Sequence, residues 1–340
     1  MRAWSRLGAL VVVASALLVL ARVPSALLFG GLVGALVYAL VAARRLEAPR
    51  WLSLAGQGVV GTIVGSSVDA GTFADLGSSW PVVLAVSAST VAVSVLAGQL
   101  LLLHRGISPV TAAFASIAGG ASGITALSRE LGADDRVVTV LQYLRVLVVL
   151  FSLPVVVGLV FHESAAAGDD AFVLGGPVDL VFCAVAVGSG LLLGRIAHLP
   201  SPAILGPVVT AAALPAVPWF QDAVVPTWVA GLGYLAIGVQ VGLRFTLESL
   251  RSIARMLPTA AVSITLTLVA CAGLGIALAG ATGSTRLDAY LATTPGGLYA
   301  VLATSTSTGG DVTFVTAVQL LRLVLVLLLA PLLARVLRRR

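Results

Sequence analysis

Two stretches decide the fold. Residues 118–150 read AGGASGITALSRELGADDRVVTVLQYLRVLVVL, and residues 295–328 read PGGLYAVLATSTSTGGDVTFVTAVQLLRLVLVLL. They align residue for residue at a spacing of 177. That spacing relates Gly119 to Gly296, Gly120 to Gly297, Gly132 to Gly309, Asp134 to Asp311, Gln142 to Gln319, Arg145 to Arg322 and Pro154 to Pro331. A small-residue break, a Gly–Asp step and a long apolar helix carrying Gln-x-x-Arg each occur twice. The duplication extends outward: Gly61 and Gly65 pair with Gly238 and Gly242 at the same spacing, and Pro24, Ser25 and Gly30 pair with Pro200, Ser201 and Gly206 at 176.

Composition sets the class. Of the 340 residues 59% are hydrophobic and 10% are charged, and the mean hydropathy is +1.09. Long apolar runs with few charges indicate a polytopic helical membrane protein. Apolar segments fall near 7–21, 24–43, 51–68, 81–103, 107–131, 136–161, 172–194, 199–217, 226–243, 257–280, 288–308 and 312–334. The first resembles a signal-peptide core but has a counterpart at 172–194 and no A-x-A site, so it is read as a retained span. The net charge of +6 sits in loops and at the C-terminus, where it sets topology, so nucleic acid is not an expected partner. Cys183 and Cys271 lie alone in apolar runs and read as packing residues. His104, His162 and His198 have no metal-ligand spacing, so no metal and no cofactor are expected.

Arginine-rich loops belong in the cytoplasm. With Arg2 and Arg6 inside, the acidic linker 162–175 lies outside, and segment 107–131 both begins and ends inside. Its two parts, either side of residues 119–123, have at most about 12 residues each, or roughly 18 Å at 1.5 Å per residue. That is short of the roughly 30 Å of hydrocarbon, so a re-entrant hairpin is expected. Each half then crosses an odd number of times, which inverts the second copy. The expected architecture is an all-α membrane protein of two inverted repeats, each with five transmembrane helices and one re-entrant hairpin. Repeat 1 spans 1–161 with its hairpin at 107–131. The linker is 162–175. Repeat 2 spans 176–340 with its hairpin at 288–309. Both termini face the cytoplasm of a bacterial plasma membrane.

Inverted repeats with interrupted helices are the architecture of secondary transporters. Non-helical backbone at membrane depth needs a protein interior or polar cavity around it, so the breaks point to the site. Candidate ligands are Gly119, Gly120, Ser122 and Gly123 at the first break. At the second they are Thr294, Pro295, Gly296, Gly297 and Tyr299. Close helix packing is the other role such small residues fill. Gln142 and Arg145 share a helix face, as do Gln319 and Arg322. An arginine at mid-membrane needs an interior partner. It either draws an anionic substrate group or bonds the free carbonyls where a half-helix ends. Gln240 is a further mid-span polar group. Asp134 and Asp311 read as N-caps. Thr304 to Thr308 line a polar path or form a plain helix end. No carboxylate stands in a span centre, which argues against a sodium–proton exchanger.

The double pattern of Gly-Gly break, Gly–Asp step and Gln-x-x-Arg resembles the membrane AbrB family, over nearly the whole chain. Where many relatives read Pro-Gly-Gly, this chain has Ala118-Gly119-Gly120. Members carry labels such as transcriptional regulator or ammonia monooxygenase, so the resemblance implies membership more firmly than activity. The small DNA-binding protein of the same name is a different molecule. The expected function is secondary transport of a small polar or anionic organic solute by alternating access, not enzymatic catalysis. A membrane-embedded regulator or sensor is the alternative. A monooxygenase needs clustered metal ligands, which three scattered histidines do not supply. A coupling ion and a homodimer are both compatible with the sequence.

Overall fold

A computed structural model describes residues 2–21, 23, 25–42, 46–67, 70–104, 106–118, 128, 131–162, 173–199, 202–245 and 255–337. Among these residues the chain is helical, with no strand. The first repeat supplies α1 (Arg2–Leu20), α2 (Ala26–Val41), α3 (Arg50–Ser66), α4 (Ala70–Gly98, followed by a 3-10 turn at Gln99–Leu103), α5 (Pro109–Ser116) and α6 (Asp135–Leu159). The second supplies α7 (Pro177–Ile196), α8 (Pro202–Ala213), α9 (Thr227–Leu243), α10 (Leu257–Thr282), α11 (Arg286–Thr293), α12 (Leu298–Ser307) and α13 (Val312–Leu337). The duplication is carried into these boundaries. α3 and α9, and likewise α5 and α11, start and stop at positions 177 apart.

Among the described residues six helices are long and apolar enough to cross a membrane: α1, α4, α6, α7, α10 and α13. The other four expected spans, α2, α3, α8 and α9, have 16, 17, 12 and 17 residues. At 1.5 Å per residue even the longest is about 26 Å. α4 begins at Ala70, well ahead of the expected 81, so Pro81 lies inside the helix. Its counterpart Pro258 instead opens α10, where a proline's missing N–H has no helical role to fill.

The chain divides into two compact units that cut across the repeats. One comprises residues 1–69, 156–247 and 302–313, and the other comprises 70–155, 248–301 and 314–340. Each unit therefore draws helices from both repeats.

In the first unit, helices meet where glycine lets backbones approach. A Cβ on Gly61 would meet the Ile204 carbonyl and one on Gly65 the Val208 carbonyl, which packs α3 on α8. A Cβ on Gly238 would meet the Leu28 carbonyl and one on Gly242 the Leu32 carbonyl, which packs α9 on α2. These two sets are the same contacts with the repeats exchanged. Where α3 crosses α9, Gly56 lies against Ala236 and Ile237, and Gly233 against Val59. Rising numbers on α3 meet rising numbers on α8, and rising numbers on α9 meet rising numbers on α2, so each of these pairs runs in the same sense.

In the second unit, both short helices start in the same way. Ser108 Oγ accepts from the Thr111 N–H at 3.1 Å, and Thr285 Oγ1 accepts from the Asp288 N–H at 3.0 Å. Such caps satisfy amides that the first turn leaves open. Phe114 and Ile117, at the end of α5, pack with Val138 and Leu141 of α6 and Val326 and Ala330 of α13 in one apolar core.

Candidate functional site

Each short helix ends with unpaired carbonyls, and each finds the same partners. After α5 the backbone turns extended at Ile117, with ψ 129°. After α11 it turns extended at Thr294, with ψ 124°. A helix end left so inside protein needs donors for its last C=O groups. Gln142 Nε2 donates to the Phe114 carbonyl at 2.6 Å and the Ile117 carbonyl at 2.8 Å. Gln319 Nε2 donates to the equivalent carbonyls of Leu291, at 2.8 Å, and Thr294, at 3.2 Å. Arg145 Nη1 donates to the Ser116 carbonyl at 2.8 Å. Arg322 Nη1 donates to the carbonyls of Thr293, at 3.4 Å, and Thr294, at 2.8 Å. Each guanidinium also donates from Nη2 to the amide oxygen of its own glutamine, at 2.7 Å for Arg145 and 2.6 Å for Arg322. The i, i+3 spacing places both side chains on one helix face, so glutamine and arginine act together on one helix end.

All four side chains are buried. In both arginines one atom, Nε, has no hydrogen-bond partner among the described residues. Among the described residues neither guanidinium pairs with a carboxylate. They lie within electrostatic reach of each other and of Cys271, which is fully buried. Arg145 also lines a small cavity with Ser116, Ser263 and Thr267.

The second break sits against Arg145. Gly296 has φ +121° and Gly297 φ +70°, conformations that favour glycine. A Cβ on Gly296 would stand 3.2 Å from Arg145 Nε and 3.8 Å from Nη2. The first repeat's arginine is therefore fixed by its own short helix and turns its Nε edge to the break of the second repeat. Beyond Gly297, α12 begins at Leu298.

The structure thus brings Gln142, Arg145, Thr294, Gly296, Gly297, Gln319 and Arg322 into one unit. The Thr294 hydroxyl is turned back onto the Tyr290 carbonyl at 2.7 Å, and it is the Thr294 carbonyl that meets Arg322 and Gln319. Pro295 is buried beside them, and Tyr299 is half-buried in the first turn of α12. Gln240 is buried in the other unit. Gly119, Gly120, Ser122 and Gly123 lie outside the described residues. In the polar run, Thr306, Ser307 and Thr308 bond back onto α12 carbonyls, while the buried Thr304 and Ser305 hydroxyls have no partner. Sequence reading gave Cys271 as a packing residue but not its place near the two arginines, nor the open Nε atoms. The identity of a helix's neighbours across the unit leaves no mark on its own periodicity.

Fold and site together define a duplicated, all-helical protein with membrane-length helices and a twice-built Gln–Arg clamp on a broken helix. A family profile described as "Transition state regulatory protein AbrB" matches residues 27–338. The chain belongs to this AbrB family. It is 31% identical over 337 residues to an Escherichia coli K12 protein named "Putative regulator AbrB", covering 98% of this chain and 95% of the relative. It is 24% identical over 298 residues to "Uncharacterized protein YhjN" of Bacillus subtilis strain 168, covering 83% and 77%.

Proposed function

We propose that the chain is a secondary transporter of a small polar or anionic organic solute, working by alternating access between two inverted repeats in a bacterial plasma membrane. The observation that carries this reading is the repeated clamp. A Gln–Arg pair holds the last carbonyls of α5 and an equivalent pair those of α11, and a guanidinium of one repeat faces the break of the other. Inversion is supported by the same-sense packing of α3 on α8 and of α9 on α2: with the consecutive helices α2 and α3 running oppositely, as successive spans do, the equivalent helices α2 and α8 run opposite ways. At about 12 Å each, α5 and α11 are far too short to span, which supports their role as the first limbs of re-entrant hairpins. Two inverted copies exchange shapes when the site opens from one side to the other, which is the basis of alternating access.

The domain plan that follows is repeat 1 at 1–161, an extracytoplasmic linker at 162–175 and repeat 2 at 176–340, with both termini cytoplasmic. The solute, with or without a coupling ion, is the partner, together with the lipid bilayer and a second copy of the chain where it dimerises. Purified protein in liposomes loaded with one of a panel of organic acids, amides and amino acids is expected to take up the labelled form of that solute by counterflow. Saturable binding without flux across the whole panel contradicts transport. That result favours a membrane-embedded regulator, the reading suggested by the printed name of the E. coli relative.

A further inference from the structure

We infer that the Nε edge of Arg145 and the Gly296–Gly297 break at the start of α12 form an oxyanion pocket that takes a carboxylate of the solute. This rests on the transport reading for the solute's fate, but not for its binding.

Three observations converge. First, Arg145 is 3% exposed, and its Nε is a buried donor without a partner among the described residues. A buried donor left unpaired is disfavoured, and a buried cation more so. Second, the carbonyl and amide bonds on Nη1 and Nη2 fix the guanidinium plane, so its Nε edge is held facing Gly296. That edge is the fork geometry that suits a carboxylate. Third, Gly296 and Gly297 are half-exposed, so the fixed edge lies beside a break that solvent reaches. There the ten-residue α12 begins, and the start of a helix favours negative charge.

Charge then limits the ligand. Arg145 and Arg322 place two positive charges within reach of one another, with no carboxylate of the described chain between them. An anionic oxygen ligand relieves that repulsion, whereas a neutral amide of the same shape does not. A dicarboxylate relieves more of it than a monocarboxylate. Glycine at 296 is also what leaves room, since a side chain there would occupy the ligand's place against Nε.

The test is a melting experiment on the purified full chain in detergent, with acetate, succinate, glutarate, sulfate, phosphate and the neutral succinamide as probes. Constant ionic strength removes general salt effects. Succinate or glutarate is expected to raise Tm in a saturable, concentration-dependent way, with acetate weaker and succinamide without effect. Gly296→Ala removes no Arg145 hydrogen-bond partner but sets a methyl 3.2 Å from Nε, at a φ of +121° that strains it, and is expected to abolish the shift. Arg145→Lys is expected to weaken it at least tenfold in concentration, because a point charge replaces the fork. Saturation by sulfate or phosphate but not by carboxylates overturns the carboxylate assignment. A shift equal for succinate and succinamide, or unchanged in Gly296→Ala, overturns the pocket. The comparison of probes on the unaltered chain stands even where a variant does not fold. Carboxylate binding without counterflow leaves the pocket standing and removes transport.

Discussion

At the scale of single residues, Arg145 and Arg322 each clamp a helix end. Nη1 and Nη2 hold a helix end, and Nε is left over. The hydrogen bonds show the structural reading of these arginines, and the ligand-drawing reading rests on the Nε proposed above for Arg145. The clamp should be measurable. A hydrogen bond from a charged group contributes about 1.5–3 kcal/mol, and its loss strands a buried carbonyl. Arg145→Gln and Arg322→Gln should each lower unfolding free energy by roughly 2–3 kcal/mol in denaturant titration. Because Gln142 and Arg145 share one bond and one helix end, Gln142→Leu and Arg145→Gln should be non-additive by at least about 0.5 kcal/mol in a double-mutant cycle. Additive losses would show that the two side chains act separately. The Gln-x-x-Arg pair was legible in the sequence because it recurs at a fixed spacing and because an arginine in an apolar run demands a partner. Which atoms it would use was not, since carbonyl acceptors belong to the backbone and have no residue-type signature.

At the scale of elements, most helices were legible from hydropathy, but their lengths were not. α2, α3, α8 and α9 are 12–17 residues long, and glycines let them approach their neighbours closely. The glycine pairs 61/238 and 65/242 were visible as repeat markers. Their role, letting α3 sit on α8 and α9 sit on α2, needed the fold. Reciprocity makes a quantitative prediction. Gly61→Val and Gly238→Val place branched side chains against the carbonyls of Ile204 and Leu28, equivalent positions in the two repeats. Overpacking of this kind costs about 1–3 kcal/mol, and the two losses should agree within about 0.5 kcal/mol by chemical denaturation. A large loss at one site and none at the other would break the equivalence of the two packings. The short helices were foreseen from the Gly-Gly breaks. The second is seen in full as α11, the turn at residues 294–297, and α12.

At the scale of the whole molecule, the duplication is what ties residue to function. Spacing alone revealed two copies, and loop charges predicted that they point opposite ways. The exchange of contacts between α3/α8 and α9/α2 shows that both copies build one unit together, which no reading of either half could show. The reach of Arg145 to the other repeat's break was invisible for the same reason: it joins residues 151 positions apart, by the difference of 296 and 145. Opposed insertion of the two breaks is the claim on which transport depends. Gly106 and Gly283 offer a direct test. They are equivalent at a spacing of 177, both are exposed, both lead into a short helix, and nothing lies within 4 Å of a Cβ at either. Their positive φ adds a strain of about 1 kcal/mol to a cysteine, small enough to tolerate. In a background of Cys183→Ser and Cys271→Ser, Gly106→Cys and Gly283→Cys are exposed to a membrane-impermeant maleimide in right-side-out and inside-out vesicles. Inverted repeats predict that Gly106→Cys is labelled only in inside-out vesicles and Gly283→Cys only in right-side-out ones. Labelling of both from the same side contradicts the inversion, and with it alternating access between the repeats.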